Sequence, residues 1–253
     1  MISVVILGSG NVANHLTKVF YKADGIHLQQ VYARNKSSLN LLNTEIETTD
    51  NLSKLADADV YIIAISDDSI SEFSAQLNLK NKLVVHTSGS ASISALKATA
   101  NKGVFYPVQT FSVLHNVDFS EVPVCIETEN NDDLLLLEKV ASSITKHVYF
   151  IDSAQRKYLH ISAVFINNFV NHIYKAGYDI CAKNSIPFQI LHPLIIETAE
   201  KITHINPSSV QTGPAKRGDK KTINKHLKLL DGKEKEIYDL LTQSIQKTYG
   251  KKL

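Results

Sequence analysis

The 253-residue sequence predicts an α/β fold: a doubly wound, mostly parallel sheet over residues 1–152, then an all-α domain over 153–253. Three observations carry this prediction. Short apolar, strand-like runs alternate with helical periods as far as residues 147–151. The first run enters a glycine-punctuated turn, Gly8-Ser9-Gly10-Asn11-Val12-Ala13, and leaves as a helix. Beyond Ser153 the strand patterns disappear and long helical periods take over, with no repeat, low-complexity tract or Gly/Ser linker between.

The turn after the first strand carries most of the functional signal. Gly8 permits a tight turn, Gly10 lets the backbone approach a pyrophosphate, and Ala13 is small enough for the helix to pack close to the strand. Leu16, Val19 and Phe20 follow at offsets that face a sheet, and N–H groups at the helix start point toward an anion. Glycine turns between strand and helix also occur without a ligand. The strand before this one and the helix after it favour a dinucleotide, the bound face being Gly8, Ser9, Gly10, Asn11, Val12 and Ala13.

The second strand, residues 28–33, ends in Arg34-Asn35-Lys36-Ser37, about 20 residues past the glycine loop, where NAD-binding folds place an Asp or Glu on the ribose. No carboxylate stands there. Arg34, with Asn35 beside it, offers charge and donors suited to a 2'-phosphate, which favours NADP over NAD; the plain alternative is a solvated arginine at a strand end.

Residues 59–66 form a nearly continuous apolar run, as a buried parallel strand requires, and bring Ile65 and Ser66 to its carboxyl end. Asp67-Asp68 follow, as caps of a helix near Ser69 or as catalytic carboxylates, with capping the simpler role. Residues 83–85 form another buried strand and end in His86-Thr87-Ser88-Gly89-Ser90. Polar residues at a carboxyl strand end lie where open α/β sheets bind ligands, so His86, Thr87 and Ser88 are candidates near a nicotinamide. After a helix, residues 103–111 form a second wall of that cleft. Residues 122–126 and 147–151 complete the sheet around a helix at 133–145.

Residues 154–183 contain no proline and read as one long, largely buried helix. Lys157, His160, Val164, Asn167, Asn168 and Asn171 recur along it at three- or four-residue spacing as a polar stripe. Polar groups are costly to bury unpaired, so the stripe either bonds to neighbouring helices or lines a wet cavity. On the cavity reading His160 is the candidate proton donor, because histidine exchanges a proton near neutrality. Asn167 orients a carbonyl or imine, and Lys157 is the competing acid. Pro187 starts a second helix, and Pro193 marks a kink or a later start. Residues 212–219 form a rigid turn presenting Lys216 and Arg217, either an anion-binding loop or a sharp connection with Asp219 as the next N-cap. Residues 233–249 form the last helix.

Composition bounds the rest. A hydrophobic fraction of 43% and a charged fraction of 21% suit a globular protein, and no apolar run reaches membrane-spanning length. The chain opens on a core strand rather than a signal peptide, so the expected location is cytoplasmic, with no membrane partner. Cys125 and Cys181 lie far apart without metal spacing and read as free core thiols. Residues 1–152 carry 11 Lys+Arg against 17 Asp+Glu, and residues 153–253 carry 16 against 8, giving −6 and +8. The basic half lacks interleaved aromatics, which argues against nucleic acid and for a solvated face or an anionic cofactor or substrate.

On these motifs the chain resembles Rossmann-like NADP oxidoreductases of the deazaflavin-dependent type whose C-terminal half is a helical domain of unknown function. The resemblance runs through the glycine loop, Arg34, His86-Thr87-Ser88-Gly89, residues 107–111, His160 with Asn167, and residues 212–214 with 217–219. The wider group is similar to ketopantoate reductase, pyrroline carboxylate reductase and 6-phosphogluconate dehydrogenase. It implies a helical domain that closes the cofactor cleft and dimerises. Many of those dehydrogenases carry a Lys and an Asn one turn apart on the long helix; here a histidine, His160, stands for the lysine and the Asn lies seven residues on. Tyr106 stands where the family commonly has a His. The resulting expectation is an NADP-dependent hydride transfer to or from a small carbonyl, alcohol or imine substrate, carried out by a homodimer. The alternative is a catalytically silent NADP-binding sensor or dimeric scaffold. A methyltransferase using S-adenosylmethionine shares the glycine loop, but Arg34 in place of an acidic ribose ligand argues against it.

Overall fold

The computed structural model describes residues 1–35, 46–98, 100–112 and 117–250. They divide into two compact units, Met1–Phe169 and Val170–Leu253. The first unit therefore extends through the start of the helical sequence, to the end of the helical turns that carry His160 and Asn167. Lys36 and Ser37 lie outside the described residues.

The first unit is built on an eight-stranded sheet: β1 Ile2–Leu7, β2 Ile26–Tyr32, β3 Glu47–Thr49, β4 Val60–Ile63, β5 Leu83–His86, β6 Asn101–Pro107, β7 Val124–Thr128 and β8 Val148–Phe150. Their order is β3-β2-β1-β4-β5-β6-β7-β8. All neighbouring pairs are parallel except β6 with β7. The chain winds outward from β1 in one direction through β2 and β3, then in the other from β4 onward. The topological switch point therefore lies between β1 and β4, where a crevice opens at the carboxyl ends of the strands.

Burial follows from this winding. Along β1, Val4 and Ile6 face a core completed by Leu16 and Phe20 of helix α1, Asn11–Phe20, and by Leu137 and Val140 of α3, Asn131–Ser142. Val5 and Leu7 face the opposite core, with Tyr61, Ile63, and Ile70 and Phe73 of α2, Ile70–Ser74. Both faces are covered, so the strands are apolar without alternation. The short polar edge strand β3 lies outside the apolar pattern that reveals the others. The helix expected before β6 is absent: residues 93–95 form a single 3₁₀ turn, with the Ser92 side chain accepting from Ser94 N–H.

Within the first unit the chain ends in α4, Ser153–Ala163, and a π-helical segment, Val164–Phe169. Asp152 and Gln155 form a reciprocal capping box at the start of α4. The expectation of a largely buried helix is corrected here. Arg156 is the one fully buried residue of α4, and none of the π segment is buried. Tyr158, Ile161, Phe165 and Ile166 are exposed.

The second unit contains α5 Val170–Lys183, α6 His192–His204, the short α7 Pro207–Val210 and α8 Pro214–Arg217, then α9 Lys220–Leu229 and α10 Gly232–Tyr249. Pro193 stands in the first turn of α6, so the second helix starts late rather than kinking. Asp219 caps α9, accepting from Thr222 N–H. Cys125 and Cys181 are buried free thiols. No described helix is long and apolar enough to cross a membrane.

Candidate active site

A cavity of about 540 Å³ opens at the switch point. The glycine loop forms one wall. Gly8 has a φ of +143°, and a Cβ there would overlap the carbonyl oxygen of Ala64, so the close approach of β1 to β4 requires glycine. Gly10 is different: its φ of −74° suits any residue, and a Cβ there would meet nothing within 4 Å. What its missing side chain leaves open is the approach to the N-terminus of α1, whose first turn holds no acidic residue. Ser9, Asn11 and Val12 also line the cavity, while Ala13 is buried against the sheet.

The opposite end of the cavity is formed by Arg34 and Asn35 after β2. Tyr32 and Phe73, with ring centroids 5.7 Å apart, make an aromatic wall beside them, and Glu72 and Gln76 complete it. Ile65, Ser66 and Ser69 line the cavity from the β4 side. Sequence reasoning missed Tyr32, Ser69, Glu72, Phe73 and Gln76. Glu72, Phe73 and Gln76 sit on or just after α2, and their three- or four-residue spacing was the signal available.

The polar cluster after β5 separates into different roles. Thr87 lines the cavity. His86 does not: it is fully buried, its Nδ1 accepts from Ser88 N–H at 3.2 Å, and its Nε2 faces the Ser92 carbonyl at 3.3 Å. Burial, with the Arg156 charge second, pushes its pKa down to about 4, so the ring is neutral. Ser88 is likewise turned inward, accepting from the N–H groups of Ser90 and Ala91. His86 and Ser88 thus brace their own loop and do not line the cavity. The Asp67-Asp68 reading is corrected. No side-chain cap is present at this turn, and the Asp67 carboxylate accepts from the Ser90 hydroxyl at 2.5 Å, joining the β4 and β5 loops.

Two residues beyond Thr87, Gly89 packs beneath a side-chain pair. Tyr106, at the carboxyl end of β6, places its hydroxyl 3.1 Å from Nδ1 of His160 on α4, the rings meeting edge to face at 6.0 Å. A Cβ on Gly89 would stand 2.5 Å from His160 Nδ1 and 2.8 Å from Tyr106 Cζ, so glycine admits the pair. Burial raises the Tyr106 pKa. One helical turn before His160, Arg156 is 0% exposed; it pairs with Glu127, donates to the Ala91 carbonyl and contacts Ser153 Oγ at 3.1 Å. These bonds pin α4 to the loop that carries Gly89. Lys157 is exposed.

Asn167 and Asn168 both lie in the π segment and are exposed. The α-helical spacing that pairs His160 with Asn167 is not the spacing present. A π turn holds about one extra residue, so Asn167 and Asn168 both fall about two turns beyond His160. The expected second wall, residues 103–111, ends against α1: Asn11 donates to the Phe111 carbonyl and His15 to that of Ser112, each at 3.0 Å.

Known proteins match the chain in both halves. Residues 3–89 match the family described as NADP oxidoreductase, coenzyme F420-dependent, and residues 122–245 match a domain of unknown function, DUF2520. A solved structure from Bacteroides fragilis, provisionally named an NADP oxidoreductase, is 38% identical with a TM-score of 0.88, over 97% of this chain and 98% of that one. This chain belongs to that NADP oxidoreductase family. Two more distant structures share the family's fold. A Thermotoga maritima protein is 20% identical, with a TM-score of 0.73 over 97% of this chain and 98% of that one. An imine reductase from Myxococcus stipitatus in complex with NADP+ is 12% identical, with a TM-score of 0.67 over 98% and 96%. No curated protein matches the chain.

Proposed function

We propose that this member of the family binds NADP(H) in the switch-point cavity and transfers hydride between it and a small C=O or C=N substrate, with His160 as the proton donor. The observation that carries the reading is one cavity lined by Arg34, the glycine loop and Thr87, with Gly89, two residues beyond Thr87, packed against the Tyr106–His160 pair. The residues present fit the cofactor. Open backbone at Gly10 suits a pyrophosphate, and the strand end that carries an acidic ribose ligand in NAD-binding folds carries Arg34 instead. Bound NADPH supplies the hydride. Arg34 and Asn35 hold the 2'-phosphate, Thr87 borders the nicotinamide end, and His160 gives its proton to the heteroatom on which negative charge develops. Asn168, or Asn167 beside it, orients that atom. Lys157 is the weaker candidate acid, being outside the Tyr106–His160 contact.

The exposed Tyr158, Ile161, Phe165 and Ile166 support a homodimer in which a second copy covers this side of the helix; light scattering on the purified protein tests it. Fluorescence titration with NADPH and NADH tests the cofactor. NADPH binding at micromolar concentration is expected, and Arg34→Ala should weaken it about 10-fold or more while changing NADH little, as loss of a charge-assisted bond predicts. Failure of both nucleotides to bind below millimolar concentration overturns the reading. A screen of aldehydes, keto acids and cyclic imines then identifies the acceptor. Tight NADPH binding with no turnover on any of them would point instead to a sensor or scaffold.

A further inference from the structure

We infer that Tyr106 is the source of the transferred proton, which reaches the substrate through His160: the phenol donates to Nδ1, and the imidazole presents its own N–H, on Nε2, to the cleft. The inference rests on the oxidoreductase reading for its substrate, but its geometry stands apart from it.

The direction of the 3.1 Å bond follows from accounting for the phenol's proton. Tyr106 is 9% exposed, and His160 Nδ1 is its one side-chain hydrogen-bond partner among the described residues. Were Nδ1 to carry a proton and Tyr106 to accept it, the phenol O–H would be left buried without an acceptor, which is costly. With Tyr106 donating, both groups are satisfied. The Nδ1 lone pair is then occupied, so the neutral ring carries its proton on Nε2. His160 is half-buried, and Nε2 has no protein partner among the described residues, which leaves it open to a ligand.

A neutral imidazole N–H is a much weaker acid than a phenol, so His160 in this tautomer is a poor donor alone. The phenol behind it changes that. As hydride adds to the carbon of C=O or C=N, the π pair becomes a lone pair on the heteroatom and takes the Nε2 proton. The phenol proton moves to Nδ1 in the same relay. The imidazole ends neutral with its proton on Nδ1 beside the phenolate; on product release that proton returns to the phenolate while Nε2 takes one from water, which restores the starting tautomer. No oxidant or reductant beyond the nicotinamide is needed. Burial keeps Tyr106 protonated until a stronger base forms; Cys125 and Asp67 act in the same sense, and the buried Arg156 guanidinium opposes them by favouring the phenolate. Gly89 is the third component, because any side chain there would separate the rings. Tyr106 acts through His160 and is a positioning residue in that sense.

The test reads the tautomer directly, without cofactor or substrate. In protein labelled with 15N-histidine, two-bond 1H–15N correlations distinguish a protonated Nε2 from a protonated Nδ1, and His160→Gln assigns the signals. The wild-type ring should be protonated on Nε2, and Tyr106→Phe should move it toward a mixture of tautomers. A wild-type ring protonated on Nδ1 overturns the inference, as does a Tyr106→Phe spectrum identical to wild type; the wild-type spectrum decides even if the variant folds poorly. In turnover, Tyr106→Phe should lower kcat about 100-fold while the NADPH Kd stays within about twofold, the span of general-acid effects. Absence of NADPH binding sinks the oxidoreductase reading and the transfer with it. NADPH turnover with an unchanged Tyr106→Phe rate sinks the relay alone.

Discussion

Protonating His86 should loosen the loop that carries Thr87 and Gly89, and the size of the effect can be worked out from its surroundings. Nδ1 of His86 already accepts the Ser88 N–H, so Nε2 must hold the ring's proton and donate to Ser92. A second proton would have to go on Nδ1, where it would face another donor inside a fully buried pocket. Burial, with the Arg156 charge second, lowers its pKa from 6.5 to about 4. The unfolded chain therefore binds more protons than the folded one between those values, so stability is fully present above about pH 6.5 and falls as pH drops toward 4. With 1.36 kcal/mol per unit, the full span corresponds to about 3 kcal/mol, of which about 2 kcal/mol should be lost between pH 7 and pH 5. The assay is urea unfolding of wild type and His86→Gln at a series of pH values. Gln cannot titrate, so its fixed packing penalty cancels and the stability gap between the two proteins should narrow by about 2 kcal/mol from pH 7 to pH 5. Parallel curves over that range would refute the buried neutral imidazole.

Three further outcomes are expected. Gly89→Ala puts a Cβ 2.5 Å from His160 Nδ1 and should lower stability by about 1–3 kcal/mol while separating the Tyr106–His160 pair, read as a lower Tm and an altered His160 imidazole spectrum. Gly8→Ala combines a φ of +143° with overlap of the Ala64 carbonyl; a loss of about 1–3 kcal/mol in denaturant unfolding and loss of NADPH binding are expected, whereas Gly10→Ala should weaken binding while leaving Tm nearly unchanged. Arg156→Met leaves the Glu127 carboxylate without its partner and should cost about 3 kcal/mol in urea unfolding, with part recovered when Glu127→Gln is added in the same chain.

The sheet was legible because its strands are buried on both faces and its first turn carries three small residues whose spacing has one common use. The edge strand β3 was not, since Glu47-Thr48-Thr49 has no apolar pattern and, among the described residues, pairs only with β2. The missing helix before β6 has a similar origin: Ser88, Ser92 and Ser94 spend their hydroxyls on local backbone and side-chain bonds that compete with helical ones, and Ser90 donates its hydroxyl to Asp67 of the neighbouring loop. His86 shows why a residue type at a strand end is weak evidence. It ends β5 one position before Thr87, yet alternation across the strand puts one in the core and the other in the cavity. The π segment was invisible because a 3.6-residue period was assumed throughout.

The acid pair is the instructive case, because its two members are 54 residues apart and neither is diagnostic alone. A tyrosine ending a strand and a histidine on a polar helical stripe are both ordinary. What joins them is a chain of constraints distributed over the first unit. The Asp152–Gln155 capping box fixes where α4 begins, and Arg156 anchors its first turn to Glu127 and to the Ala91 carbonyl. His160 then falls one turn on, over the single loop position that lacks a side chain. The same Arg156 acts electrostatically on His86 and on Tyr106. A buried, paired arginine is weak evidence for stability in itself, since its desolvation offsets much of the attraction. Here the bonds it makes reach two separate segments, the strand that carries Glu127 and the loop that carries Ala91, and their common effect is to fix the distance from α4 to Gly89. The buried cation is better explained by the placement of His160 than by the stability it adds.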